Sequence, residues 1–248
     1  MKERTEKLIV NGKRLDGRSF EEMREIEAKV GIISRADGSA MFRFGNSIAL
    51  AAVYGPRPMF PRHLQDPEKA IINFRYNMAP FSTEERVRPG VSRRSVEISK
   101  VLKEALQEII CVEEFPRTVI DIYVEMLQSD GSTRCAALNA ASLALADAGV
   151  PMKDFVAACS VGKVDGEIVL DINSIEDMYG EVDMPVGIIP RWDKIVLLQM
   201  DGELTQEEFE RCLELAKKGC KKVYEIQKET IKNKYIKIAE VEKDVAEA

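Results

Sequence analysis

The chain has 248 residues, 45% of them hydrophobic and 31% charged, with a formal net charge of −6. That length and apolar content suit one large α/β domain, or two fused small ones, with ample core, and the acidic balance argues against simple non-specific coating of DNA. No run of about 18 apolar residues occurs, which argues against a transmembrane helix, and the opening "MKERTEKLIVNGKRLDGR" lacks the apolar centre of a signal peptide.

Five cysteines, Cys111, Cys135, Cys159, Cys212 and Cys220, form no C-x-x-C pair. Neither a zinc knuckle nor a disulfide framework is indicated, and buried thiols in a reducing cytoplasm are the expectation. The sole histidine, His63, leaves no room for a two-histidine mechanism or a His-rich metal site. Chemistry must then run on carboxylates, arginines, hydroxyls or a bound cofactor.

In chain order, "GSAMFRFGNSIALAAVYGP" alternates, turns at Gly45-Asn46 and alternates again, which predicts a β-hairpin from Gly38 to Pro56. "AIINFRYNMAPF" predicts a strand ended by Pro80, and "FSTEERVRPGVS" a loop broken by Pro89-Gly90. Ile98, Val101, Leu102, Ala105, Leu106, Ile109 and Ile110 fall on one helical face. "TVIDIYVEMLQ" is β-branched and strand-like, and the Ala-rich segment after it predicts a helix that runs to Asp147 and stops at Gly149-Val150-Pro151. "FVAACSVGKVDGEIVLDI" predicts a hairpin turning near Asp165-Gly166, and "KIVLLQMDG" one further strand. Thr205 with Glu208 is a capping-box signature before a long amphipathic helix, and the charged tail after Lys232 is expected to fray. The pattern is an α+β fold of strand pairs interleaved with helices, expected as one domain over 1–248 with a core of about 10–235 and a tail from about 233.

Charge is unevenly spread. Arg57 to Lys100 holds nine Lys/Arg against five Asp/Glu, while Asp171 to Asp193 holds six acids against one arginine. The two segments are either walls of one site or unrelated surface.

Three stretches carry candidate chemistry. In "SDGSTR", a strand end, a small-residue turn and a helix start bring together free N–H groups, hydroxyls and Arg134, which suits a tetrahedral anion. The alternative is that Ser132 or Thr133 only caps the helix; a P-loop is excluded because GxxxxGK[ST] is absent. In "RPGVSRRSVEISK", Arg93 and Arg94 stand just before a helix with Arg86 and Arg88 upstream, which suits phosphodiester contacts or, equally, a solvated loop. In "SIEDMYGEVDMPV", Asp177 and Asp183 are six apart. They share a site only if the chain bends, for which Gly180 offers a place; together they could hold a divalent metal or raise one another's pKa, and apart they are an acidic surface loop.

Read together and in this order, "VSRRSVEISK", "SDGSTRCAA" and "IEDMYGEVDMPV" resemble the RNase PH family of phosphate-dependent exoribonucleases, as do "RLDGRSFEEMR" and the Gly38–Pro56 hairpin. The resemblance spans roughly residues 10 to 235. Within the family, "AAVYGPRPMFPRH" and "SRRSVEISK" are most similar to the catalytic ring subunit of archaeal exosomes. "VSRRS", and "ST" where the family commonly has "GT", are small departures. They keep a bacterial-type RNase PH trimming tRNA 3′ ends as an alternative, beside a non-catalytic RNA-binding ring subunit.

The resemblance implies an RNase PH-like domain with the β-α fold of the second domain of ribosomal protein S five. It implies 3′→5′ phosphorolysis of single-stranded RNA to nucleoside diphosphates, and the reverse tailing reaction. It implies a heterohexameric ring of three heterodimers with a non-catalytic RNase PH-like subunit, RNA-binding cap subunits, a cytoplasmic setting and no membrane. On this reading Gly131, Ser132, Thr133 and Arg134 hold inorganic phosphate as the nucleophile. Arg93, Arg94, Arg62 and His63 contact RNA. Asp177 protonates the departing 3′-oxygen, and Asp183 beside it holds Mg²⁺ or Mn²⁺, with both aspartates counted as catalytic and as metal ligands.

Overall fold

The computed structural model describes residues 7–246; the outermost residues of the expected 1–248 domain lie outside that range. Two short strands, β1 (Ile9–Val10) and β2 (Lys13–Arg14), pair ahead of the first sheet. In that sheet β3 (Ile26–Val30) pairs with β4 (Gly38–Phe44), and β4 with β5 (Ser47–Pro58) in the expected hairpin, Phe44 facing Ser47 across the turn. The period-two pattern does the sorting: along β5, Ser47, Ala49, Ala51 and Val53 are buried while the residues between them are partly exposed.

After β6 (Ile71–Met78) comes α1 (Arg93–Gln107), which packs against it, and then β7 (Thr118–Gln128). The strand β7 joins the sheet between β5 and β6, antiparallel to the former and parallel to the latter, giving the order β3-β4-β5-β7-β6. Ile109 and Ile110 lie beyond the end of α1 yet are fully buried, so the apolar stripe extends past the helix that carries it.

The helix α2 (Thr133–Asp147) lies between the first sheet and a second one, against β4 and β5 on one side and β8 (Ala157–Val164) on the other. That position explains its composition. Buried from Cys135 to Leu145, it has no polar face, and alanines let both sheets approach closely. Its buried Asn139 spends both ends of its amide on Ala158, donating to the carbonyl and accepting from the N–H at 2.8 Å each. The second sheet continues with β9 (Glu167–Leu170), the expected hairpin partner of β8. After α3 (Ser174–Tyr179) come β10 (Val182–Ile189), β11 (Lys194–Leu198) and β12 (Asp201–Gly202), in the order β11-β10-β8-β9 with β12 also on β10.

Three expectations change. "KIVLLQMDG" is not one strand: β11 ends at Leu198 and pairing resumes at Asp201, leaving Gln199 and Met200 between. Arg93 and Arg94 are the first two residues of α1 rather than part of the loop before it. The chain does not lose helix after Lys232. The last helix, α4 (Gln206–Ala246), starts on the expected Thr205–Glu208 box and continues, with the Lys234 ammonium bonded to the buried Asp147 carboxylate at the far end of α2. All five cysteines are free thiols, four of them buried. Among the described residues no helix is long and apolar enough to cross a membrane.

Candidate active site

The turn between β7 and α2 is held from several sides. The Ser47 hydroxyl accepts from the Asp130 N–H at 2.8 Å and donates to the Gly131 carbonyl at 2.7 Å. Gly131 has φ +71°, and a Cβ there would lie 2.6 Å from the Asn173 carbonyl carbon, so only glycine lets this turn rest on the 172–173 backbone. Ser132 is also left-handed, at φ 54°. Its hydroxyl bonds Ser160, donates to the Ile172 carbonyl at 2.9 Å and accepts from Arg24 at 3.1 Å. It makes no capping bond. The capping alternative therefore fails for Ser132, and α2 presents its first N–H groups without a side-chain cap, at the positive end of its dipole.

The start of α2, Ser132 to Arg134, lines a cavity of about 280 Å³ together with Arg94, Asp177, Asp183 and Gln199, among others. The two aspartates come from different elements. Asn173 and Glu176 form a capping box that starts α3, whose buried Glu176 is gripped by Arg14 of β2. Asp177 follows in that first turn. Gly180 then takes the chain out of the helix in extended conformation, where a Cβ would meet the Glu176 carbonyl oxygen at 2.4 Å. Asp183 is the second residue of β10, opposite Gly162 and Asp201. The bend expected at Gly180 thus brings the pair to one cavity.

Electrostatics there oppose one another. Burial pushes the Asp177 carboxyl up, with Arg94 and Arg134 pulling it back. Burial, and then the charge of Asp177, pushes Asp183 up to about 7. The pair therefore holds a proton near neutrality, as two carboxylates sharing one poorly solvated space must. Two guanidinium groups line the same cavity. Arg94 reaches the Thr133 hydroxyl at 3.5 Å, and Arg134 bonds Gln199. Arginines in the first turn of α1 oppose that helix's dipole, and α1 has no acid there to offset them. An anion in the cavity would supply the compensation.

Successive helical residues point about 100° apart. Only Arg94 of the adjacent pair lines this cavity, while Arg93 is exposed outside it. A second cavity of about 360 Å³ shares Arg94, Thr133 and Asp177, and Arg88 lines it. Arg62 and His63 sit in an exposed single turn, Arg62–Leu64, between β5 and β6. That loop lies at the Thr118 end of β7, where Pro58 pairs with Thr118 and Asp66 bonds Arg117. The cavity lies past the Gln128 end, roughly 30 Å away along the strand. The sequence reading missed Glu97, Gln199 and Asp201 on the wall, and also Arg24 behind it. Glu97 was within reach, since it falls one turn after Arg94 in the arginine motif; "QMDG" carried no signal.

Two family descriptions cover most of the chain: "3′ exoribonuclease family, domain 1" matches residues 22–151 and "domain 2" matches residues 154–219. The chain belongs to the 3′ exoribonuclease family. It is 58% identical over 230 residues to the exosome complex component Rrp41 of Thermococcus gammatolerans, covering 93% of this chain and 92% of that one. With the Archaeoglobus fulgidus Rrp41 it shares 54% identity over 248 residues, covering 99% and 96%. Among solved structures it superposes on rice Rrp46 with a TM-score of 0.78 at 27% identity, covering 88% of this chain and all of that one. For this exoribonuclease family member, the RNase PH-like α+β architecture and the catalytic class expected from "SRRSVEISK", "SDGSTR" and "IEDMYGEVDMPV" both hold.

Proposed function

We propose that the cavity at the start of α2 performs phosphorolysis of RNA from the 3′ end, with inorganic phosphate as the nucleophile. The observation that carries this reading is one cavity lined by the uncapped start of α2, by two arginines and by an aspartate pair in which burial and mutual charge favour keeping a proton. Phosphate needs no base to activate it as water does, which suits a site without histidine.

In this reading Gly131, Ser132, Thr133 and Arg134 hold phosphate through backbone N–H groups, a hydroxyl and a guanidinium. A phosphate oxygen attacks the phosphorus of the terminal phosphodiester while the bond to the neighbouring nucleotide's 3′-oxygen breaks. The terminal nucleotide leaves as a nucleoside 5′-diphosphate, and the shortened chain keeps a 3′-hydroxyl. Arg94 offsets the crowding of negative charge between nucleophile and ester. Asp177 and Asp183, as a pair, supply the proton taken by the departing 3′-oxygen. Run backwards, the same steps add nucleotides to a 3′ end. Arg93 and, at the other end of β7, Arg62 and His63 contact RNA outside the cavity.

The donor chemistry also fits a divalent cation. Asp177 and Asp183 are hard oxygen ligands, and Mg²⁺ commonly takes one or two carboxylates and completes its shell with water and substrate phosphate. Among the described residues no group of three or more His, Cys, Asp or Glu side chains is arranged to hold a metal, so the rest of the shell falls to those sources. Bound Mg²⁺ or Mn²⁺ would offset the charge of the reacting phosphates.

High identity to archaeal Rrp41 proteins supports an exosome setting. We assign the chain the catalytic place in a heterohexameric ring of three heterodimers with a non-catalytic RNase PH-like subunit, joined by RNA-binding cap subunits in the cytoplasm. Degradation of 5′-labelled poly(A) by the purified chain, alone and with its ring partner, with and without phosphate, tests the reading. Phosphate-dependent shortening is expected, and equal shortening without phosphate would refute it.

A further inference from the structure

Arg134 does not face the cavity alone. Its Nη1 lies 3.5 Å from Glu97 Oε1 and donates to Gln199 Oε1. Gln199 in turn donates its amide N–H to the same Glu97 oxygen at 2.7 Å. The three groups form a closed ring on the cavity wall, assembled from α1, α2 and the interruption between β11 and β12. Glu97 lies three residues after Arg94, on the same face of α1, so the helix presents a cation and an acid to one space.

Asp177, Asp183 and Asp201 also line this cavity, but among the described ion pairs Glu97 is the lining acid bonded to Arg134, where it competes with an anion for the guanidinium. Stability gives little reason for it. The Glu97 side chain is 41% exposed and that of Arg134 25%, and so open an ion pair is weak. The Gln199 amide nonetheless fixes the acid against Arg134 instead of letting it turn to water. The interruption at Gln199–Met200 is what brings that amide to the wall.

We propose that Glu97, held by Gln199, is a positioning residue that aims Arg134 into the cavity and limits the affinity of the site for phosphate and for the diphosphate product. This rests on the reading of the cavity as the phosphate site. When the anion binds, Arg134 exchanges Glu97 for it; when the product leaves, Glu97 takes the guanidinium back. The acid lowers the hold on phosphate in ground state and product alike, which keeps turnover from stalling on a retained diphosphate. Removing it strengthens binding without strengthening the transition state selectively.

The test is calorimetric titration of the full-length chain with inorganic phosphate at constant ionic strength, using wild type, Glu97→Gln, Arg134→Ala and the double variant. Glu97→Gln should bind phosphate about threefold to tenfold more tightly, the size expected for removing one partly solvated charge. A gain of this kind is not what a damaged fold produces. The gain should vanish in the Arg134→Ala background, since Glu97 acts through that guanidinium. In the assembled enzyme the KM for phosphate should fall by the same factor with kcat not raised, and inhibition by ADP should tighten in parallel. Unchanged or weaker phosphate binding in Glu97→Gln, with binding lost in Arg134→Ala, would overturn the role of Glu97 and leave the phosphate site standing. A gain that persists without Arg134 would also overturn it. Arg134→Ala binding phosphate like wild type would move the anion elsewhere, and the proposal would fall with the reading beneath it.

Discussion

Arg24 and Asp171 form a buried two-point pair behind the phosphate turn. The Arg24 guanidinium donates to the two Asp171 oxygens at 2.9 and 2.6 Å, and the Arg24 backbone N–H adds a third bond at 2.8 Å. The same guanidinium reaches the Ser132 hydroxyl at 3.1 Å and the Ile172 carbonyl at 3.2 Å. It ties the segment before β3, the turn before α2 and the exit of β9 into one rigid corner. Burial works to raise the Asp171 carboxyl, but the Arg24 hydrogen bonds and charge outweigh it and leave it below the usual carboxylate range.

Arg24→Ala should therefore cost about 3–5 kcal/mol, because it takes the two-point partner from a buried carboxylate and leaves it, among the described ion pairs, only the longer Arg18 contact at 3.5 Å. Urea unfolding of the purified chain measures this. Arg24→Lys, which keeps the charge but loses the fork, should fall between wild type and the alanine variant. A loss below about 1 kcal/mol for Arg24→Ala would match only a surface pair.

Asp177→Asn should lower the rate of RNA shortening by roughly 10²–10⁴ while RNA affinity stays near wild type, since the change removes a proton source and keeps the shape. Wild-type-like turnover at saturating phosphate would remove Asp177 from the reaction.

The carboxyl of Asp183 stays protonated in the folded chain up to about pH 7, whereas its ordinary value is 3.8. A raised acid burdens the fold only where the unfolded chain has already lost the proton. The burden is absent below about pH 4 and complete above about pH 7. Asp183→Asn should thus gain stability relative to wild type as pH rises from 4 to 8, reaching about 2–4 kcal/mol with EDTA present. Mg²⁺ at pH 8 should stabilise wild type and not the variant. A stability difference that does not change with pH would contradict the burial of this carboxyl.

The adjacent arginines should separate. Removing one cation that neutralises a phosphate of single-stranded RNA flattens the log–log salt slope by about 0.7. Arg94→Ala should do this and also slow catalysis. Arg93→Ala, outside the cavity, should change the slope with kcat near wild type. Equal losses of kcat would place both side chains at the reacting phosphates.

The sequence made the local elements legible where periodicity was strong. The Gly38–Pro56 hairpin, "TVIDIYVEMLQ" and the Thr205–Glu208 helix start all form where the pattern put them. The Asp177–Asp183 convergence was open in the residues alone, since Gly180 permits a bend without requiring one; the family resemblance, not the spacing, pointed to a shared site. Arg14, Arg18 and Arg24 were not legible, since buried arginines look like surface residues until their partners Glu176 and Asp171, about 150 positions away, are known. Gln199 was hidden because a strand interruption has no pattern of its own. Arg93 and Arg94 looked equivalent because adjacency in sequence conceals the turn of a helix.

The most direct measurement follows the phosphate itself. Radiolabelled inorganic phosphate, supplied with unlabelled poly(A) to the full-length chain together with its ring partner, should appear in the terminal phosphate of the nucleoside diphosphate released. Arg134→Ala should need far more phosphate for the same yield, with its demand for RNA little changed. Unlabelled nucleoside monophosphate as the product, formed at the same rate without phosphate, would mean that water is the nucleophile and that the start of α2 is not the phosphate site.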